Sequence, residues 1–397
     1  PMSARRQRQM CIRDSTGAMP VILNALDAPR TLKFAARFIV WPFQFLGRRG
    51  DQSLPPAPRA LTAMGPAYIK FGQILSTRPD VVGPELAEQL RVLQDRLPPF
   101  STGVAKQSFK SEIGLDADDV FSDFSEPVAA ASIAQVHRGK LKDNGQSVAI
   151  KVLRPEIERA FQKDLDTFYF AARLVEFVSP KSRRLKPMDV IAHFDGVVRG
   201  ELDLRLESAS ASEFLANIKE DKGFSVPSVN WSLSSRRVMT LDWADGVPMG
   251  DVDALAAAGH NLSELGDRVL HMFLNHALRD GFFHADMHQG NLKVSSSGDI
   301  VAFDFGIMGH IDEYTRRVYA EILFGFIKRD YKRVAQVHFE AGYVPQDQDV
   351  DEFARALRAV GEPIFGMDAS NISMGRLLSY LFEVTERFGM ETRTELI

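Results

Sequence analysis

Residues 282–306 read Phe-Phe-His-Ala-Asp-Met-His-Gln-Gly-Asn-Leu-Lys-Val-Ser-Ser-Ser-Gly-Asp-Ile-Val-Ala-Phe-Asp-Phe-Gly. Three side chains in this stretch read as one site: Asp286, Asn291 and Asp304. Asn291 lies five positions after Asp286, and Asp304 thirteen after Asn291. The residue types suit magnesium and phosphate. Mg²⁺ is a hard cation that takes oxygen ligands, so the carboxylate of Asp304 and the amide oxygen of Asn291 can hold it against nucleotide phosphates. A second carboxylate kept off the metal, that of Asp286, can orient or deprotonate an attacking hydroxyl. Leu292 to Val294 and Ile300 to Phe303 are apolar, and Ser295-Ser-Ser-Gly298 between them is a turn signal. That pattern predicts a hairpin bringing Asn291 and Asp304 together. A polar loop with capping Asp and Asn residues is the bland alternative, and it leaves the joint spacing unexplained.

Composition bounds the rest. A chain of 397 residues can hold two or three domains, or one large two-lobed one. Hydrophobic content of 45% and charged content of 25% are ordinary for a soluble globular protein. The net charge of −4 gives no nucleic-acid signal. The charge is uneven: residues 1–60 carry ten Lys/Arg against three Asp/Glu, net +7, which leaves −11 for the remainder. A single cysteine, Cys11, excludes an internal disulfide and a cysteine zinc site, and suits a reducing compartment. No uncharged apolar run reaches the ~18 residues of a transmembrane helix.

Along the chain, Pro1 to Ser15 is Arg/Gln-rich without apolar periodicity. It could be a transit-like segment but reads more like a cloning or assembly scar, outside the fold. Residues 20–49 mix Phe34, Phe38, Ile39, Trp41, Phe43 and Phe45 with Arg30, Lys33, Arg37, Arg48 and Arg49. That mixture fits an interfacial helix on anionic lipid or, more often for such patterns, a helix packed on its own domain. Residues 51–59 read as a linker. Ile69, Ile74 and Leu75 suggest a helix ending near Pro79. A second helix is expected from Pro84, with Leu86, Leu90, Leu93 and Leu97 on one face and Pro98-Pro99 closing it. Lys70 and Gln73, three apart, share a helical face. Periodicity alone makes Lys70 a solvated surface lysine.

From Phe121 the period changes. Residues 124–139 read as strand, small-residue loop, strand, and Ser147 to Leu153 alternates like another strand. Val148-Ala-Ile-Lys151 matches the third-strand lysine motif of kinases, in which the lysine holds phosphates and pairs with a helix carboxylate. A helix at about 187–219 offers Glu201, Asp203 and Glu207. Strands are expected at about 225–231 and 236–243, a hinge-like turn at Asp245-Gly246, and a helix over about 263–280 ended by Gly281. The Asp286, Asn291 and Asp304-Phe-Gly block also has the spacing of the kinase catalytic loop and its Asp-Phe-Gly. Helices follow to the C-terminus.

Together these residues resemble the UbiB (ADCK or aarF-type) family of atypical kinase-like proteins, over about residues 54–397. Lys70-Phe-Gly-Gln73 matches the family's Lys-x-Gly-Gln signature. Ala129-Ala-Ala-Ser132 matches its alanine-rich loop, in the place where ordinary kinases carry glycines. Glu201-Leu-Asp203 matches its Glu-x-Asp motif, with Glu207 as the helix glutamate. The resemblance implies an α+β, two-lobed kinase-like fold. It divides the chain into a basic, amphipathic segment (1–53), a helical Lys-x-Gly-Gln extension (54–120), an N-lobe (121–245) and a C-terminally truncated C-lobe (246–397). It implies ATP or ADP and Mg²⁺ as cofactors. Lys151 and Glu207 become the activating pair, Asp286 the catalytic carboxylate, and Asn291 and Asp304 the metal ligands. Ala129, Ala130, Ala131 and Ser132 line the nucleotide, and Lys70 and Gln73 fold over it to meet Glu201 and Asp203. Met287 and Gln289 stand where the family often has prolines, a change of loop stiffness rather than of ligands. The alanines should favour helix-like geometry over a glycine cradle.

The function implied is Mg-dependent phosphoryl chemistry in ubiquinone biosynthesis, as an atypical kinase or ATPase acting on a small or lipid-derived acceptor or water. The alternative is a non-catalytic nucleotide-binding scaffold of a lipid-biosynthesis complex. Implied partners are a nucleotide, a lipid or quinone precursor, other ubiquinone-biosynthesis proteins and, in a longer protein with membrane-spanning helices, the cytoplasmic face of the bacterial inner membrane; nucleic acid is not among them. No Ala-Pro-Glu follows Asp304-Phe-Gly, and a helix pattern with Val318, Ile322 and Phe326 begins within a few residues, capped by Asp312 or Thr315. Phosphorylation of protein substrates is therefore not expected.

Overall fold

The computed structural model describes residues 53–76, 82–93, 99–178, 187–367 and 372–390. The expected helix at 20–49, Cys11, the stop at Pro79, Leu97 and the final residues 391–397 lie outside these. The described residues divide into two units. One runs through Leu215 and includes Val226–Asp245; the other contains Ala216–Ser225 and the chain from Gly246 onward.

The first unit opens with α1 (Pro56–Met64), α2 (Pro66–Ser76) and α3 (Pro84–Leu90). The stretch expected as linker to residue 59 is helical from Pro56, because a proline in the first turn needs no N–H partner and its φ already suits a helix. The helix expected from Pro84 to Pro98 stops at Leu90. The chain turns there, with Leu93 N–H bonded to Leu90 O at 3.0 Å, and Leu93 returns to a core with Ala57, Leu86 and Leu90. Gly72 permits this packing: a Cβ there would stand 2.6 Å from a Leu61 methyl.

Next come α4 (Thr102–Ile113), β1 (Phe121–Ala130), β2 (Ala134–Leu141), β3 (Ser147–Leu153), α5 (Ile157–Val178), α6 (Pro187–Glu201), α7 (Leu204–Asn217) and β4 (Val238–Asp242). The strands form an antiparallel sheet in the order β1-β2-β3-β4. Strand alternation puts Val148, Ile150 and Val152 on one face, where they pack with Ala105 and Phe109 of α4, and Lys151 on the other. The single helix expected at 187–219 is broken at Leu202-Asp203, where Leu204 N–H bonds Arg236 O at 2.9 Å instead of continuing the helix. The strand expected at 225–231 reduces to the pair Phe224–Ser225 and an isolated bridge at Val229, because Pro227 has no N–H for a ladder. Phe71 anchors α2 on the longer helices, its ring 4.7 Å from Phe168 of α5 and 5.1 Å from Phe194 of α6.

The second unit holds α8 (Val252–Ala257), α9 (Leu262–Asn275), β5 (Phe282–His284), β6 (Leu292–Val294), β7 (Ile300–Ala302) and β8 (Met308–His310). It continues with α10 (Glu313–Lys328), α11 (Tyr331–Glu340), α12 (Val350–Gly361) and α13 (Met374–Arg387). α9 runs into a wider turn at His276–Asp280 that Gly281 ends at φ +70°, a backbone state open to glycine. β6 and β7 pair antiparallel as the expected hairpin, flanked by Val247–Pro248 and Phe224–Ser225, and β8 pairs with β5. Tyr331, Val334, Phe353, Leu357 and Phe388 form the helical core.

Candidate functional site

The candidate residues form two groups, one in each unit. In the first unit, Lys151 Nζ lies 2.6 and 2.9 Å from the two carboxylate oxygens of Glu207. The lysine comes from the middle of the sheet, opposite Val136 and Met239. Glu207, 8% exposed, comes from the first turn of α7. A buried carboxylate needs such a partner, since a lone charge in a dry site is expensive.

A second pair lies six residues earlier on the helical side. Lys70 Nζ of α2 is 2.6 Å from Glu201 Oε1 at the end of α6, with both side chains largely buried. Lys70 is thus no solvated surface lysine. Asp203, two residues on, receives both Nε and Nη2 of Arg205, at 2.9 and 2.6 Å. The guanidinium fork matches a carboxylate bidentately and holds the Asp203 carboxyl below its usual range. Gln73 Nε2 points to Leu93 O at 3.4 Å, within its own helical extension.

The alanine-rich segment is extended rather than helix-like. Ala129 and Ala130 pair with Val136 and Gln135, so the cross-strand ladder overrides alanine's helix preference. The turn itself is Ala131-Ser132-Ile133, closed by Ala131 N–H to Ala134 O at 2.9 Å. Arg154, just past β3, donates Nε and Nη2 to Ala131 O at 3.1 and 2.9 Å. The sequence reading missed this arginine, because an Arg three residues after a strand lysine carries no local signal of its own.

In the second unit the hairpin places Asn291 beside the Asp304 segment: Phe303 N–H reaches Asn291 O at 3.3 Å. Asn291 Nδ2 donates to Asp286 O at 3.0 Å. With the amide nitrogen committed to a carbonyl, Oδ1 is the amide's acceptor, a hard oxygen of the kind Mg²⁺ takes. Asp304 Oδ1 accepts Gly306 N–H at 3.1 Å, which fixes its rotamer. The carboxylate of Asp286 is about half exposed, with His288 Nε2 3.8 Å from its Oδ2. One carboxylate and one amide oxygen are the donor types that Mg²⁺ bound to phosphates takes from protein, so this set fits that ion.

His284, also missed, ties these residues together. It is buried, its Nε2 lies 2.5 Å from Asp304 O, and its Nδ1 accepts Asp286 N–H at 3.1 Å. Accepting at Nδ1 requires the neutral form with the proton on Nε2, and burial lowers the pKa accordingly. One imidazole therefore sets the backbone positions of both aspartates.

Residues 92–338 match the ABC1 atypical kinase-like domain, and residues 357–397 match the UbiB helical domain. A Marinobacter nauticus protein named "Probable protein kinase UbiB" is 40% identical over 343 residues, 85% of this chain and 62% of that protein. An Aeromonas hydrophila protein of the same name is 41% identical over 377 residues, 91% of this chain and 69% of its own length. The chain thus spans somewhat under two thirds of the Marinobacter relative. In fold, it is similar to the Mycobacterium tuberculosis protein Rv3197, solved with erythromycin: TM-score 0.53, 23% identity, 81% of this chain and 88% of that one. Two-lobed and kinase-like, the α+β fold agrees with both matches.

Proposed function

The chain belongs to the UbiB family of ABC1 atypical kinase-like proteins, and from that premise we propose that it binds ATP or ADP with Mg²⁺ and catalyses phosphoryl chemistry in support of ubiquinone biosynthesis. The acceptor is a small or lipid-derived molecule or water. The observation that carries this reading is the double-contact Lys151–Glu207 pair, at 2.6 and 2.9 Å, on the strand and helix where a kinase-like protein keeps its phosphate-holding lysine. Glu207 orients the ammonium. Asn291 and Asp304 hold the metal, and Asp286 orients or deprotonates the acceptor. Bound Mg²⁺ would neutralise charge developing on the phosphates. Among the described residues no helix is long and apolar enough to cross a membrane. We place the protein at the cytoplasmic face of the bacterial inner membrane, alongside other enzymes of the pathway.

Replacing Lys151 by Met tests the assignment. MgATP and MgADP affinity should fall at least about tenfold, the equivalent of one charged contact. Thermal melting should reveal any accompanying loss of fold, because Glu207 loses both contacts to Lys151, and removing one partner of a buried ion pair typically costs about 3–5 kcal/mol. A folded variant with wild-type nucleotide affinity would refute the reading.

A further inference from the structure

The turn that follows β1 has no glycine. A glycine-rich loop presents backbone N–H groups to phosphates because its peptides can rotate freely. Ala131, Ser132 and Ile133 lack that freedom, so the orientation of their peptides must be set from outside. Arg154 sets it. Its Nε and Nη2 both donate to Ala131 O, at 3.1 and 2.9 Å, and its own N–H donates to Ile133 O at 2.8 Å. The arginine is itself held from two sides. Its guanidinium carbon lies 5.9 Å from the Phe100 ring centroid, and Arg237 Nη2 donates to its carbonyl at 3.1 Å. Phe100 is fixed in turn, with its N–H and C=O bonded to the Gln135 side chain at 2.9 and 3.1 Å.

A planar trans peptide has a consequence for the other side of the turn. The C=O of residue 131 and the N–H of residue 132 point in opposite directions. Pulling Ala131 O onto Arg154 therefore aims Ser132 N–H away from Arg154. That N–H makes no hydrogen bond within the described residues, although Ser132 is 1% exposed and its neighbours Ala131 N–H and Arg154 N–H are bonded. A nearly buried donor with no partner calls for an acceptor supplied from elsewhere.

We propose that Arg154 is a positioning residue that turns the Ala131–Ser132 peptide so that Ser132 N–H donates to a nucleotide phosphate. The inference rests on the nucleotide reading and adds to it a backbone donor and the side chain that aims it. The donor is specific to phosphate oxygens beyond the nucleoside. Loss of Arg154 should therefore be felt by phosphate-bearing ligands and not by adenosine.

The test measures binding of adenosine, ADP and ATP, each with Mg²⁺, to the chain and to its R154Q, R154K and K151M variants. R154Q should weaken ADP and ATP by about tenfold, the worth of one hydrogen bond to a charged group, and leave adenosine unchanged. R154K, which keeps one donor for Ala131 O, should recover part of the loss. Equal weakening of adenosine would mean a general disturbance of the lobe and would overturn the assignment. So would wild-type ADP and ATP binding in R154Q while K151M loses it. If K151M also binds normally, the failure lies with the nucleotide reading itself, and the inference falls with it.

Discussion

Gln135 sits on β2 with none of its surface exposed, and its amide is fully engaged. Oε1 accepts Phe100 N–H at 2.9 Å, while Nε2 donates to Phe100 O at 3.1 Å and meets His137 Nε2 at 2.8 Å. The amide has only hydrogens on nitrogen, so His137 Nε2 is the acceptor. The imidazole proton therefore lies on Nδ1, which faces Ser125 O at 2.8 Å. Gln135→Leu keeps the volume and strands the two Phe100 groups and the imidazole. Each unsatisfied buried group costs about 1–3 kcal/mol, so urea unfolding of the variant should show a loss of about 3 kcal/mol or more. A loss under about 0.5 kcal/mol, the range of ordinary surface substitutions, would mean the network does little.

At the scale of elements, the connection after Asp304-Phe-Gly matters most. The chain goes from Gly306 into β8, where Met308 lies opposite His284, and then into α10, whose N-cap Asp312 accepts Thr315 N–H at 2.7 Å. In protein kinases a long segment closed by Ala-Pro-Glu stands here. The expected outcome with labelled ATP and a degenerate peptide library is no transfer above background; robust transfer abolished by Asp286→Asn would contradict it. These elements also show which structure the sequence displays. The β6–β7 hairpin is legible because apolar runs and a Ser/Gly turn are local signals, and the Asp312 cap because it lies three residues from its donor. Broken elements are less visible. Pro227 marks the end of a strand at 225–231 only if its missing N–H is weighed, and the break at Leu202-Asp203 depends on a carbonyl thirty-odd residues away, on Arg236. Arg154, Gln135 and His284 work through backbone atoms of distant segments, and no periodicity marks such partners. The positions of Lys151, Asp286, Asn291 and Asp304 can be read from spacing, while what they bind remains our proposal.

Over the whole molecule, four histidines share one electrostatic condition. Burial is the leading cause that lowers the pKa of His137, His276, His284 and His338 from 6.5. The unfolded chain therefore takes up protons near that value while the folded chain does not. Their contribution to stability is complete above 6.5 and is lost as pH falls below it. The urea midpoint should accordingly drop between about pH 7.5 and about pH 5.5, and His338→Gln should flatten the drop; a midpoint that rises on acidification would contradict this. The central claim, that the chain is a magnesium-dependent nucleotide enzyme, is tested most directly by phosphate release from ATP by the purified protein. The account predicts release that requires Mg²⁺ and falls by at least about a hundredfold in a folded Asp304→Asn variant, as losing one electrostatic contributor to catalysis typically does. Release that survives in Asp304→Asn, or that is indifferent to Mg²⁺, would contradict it.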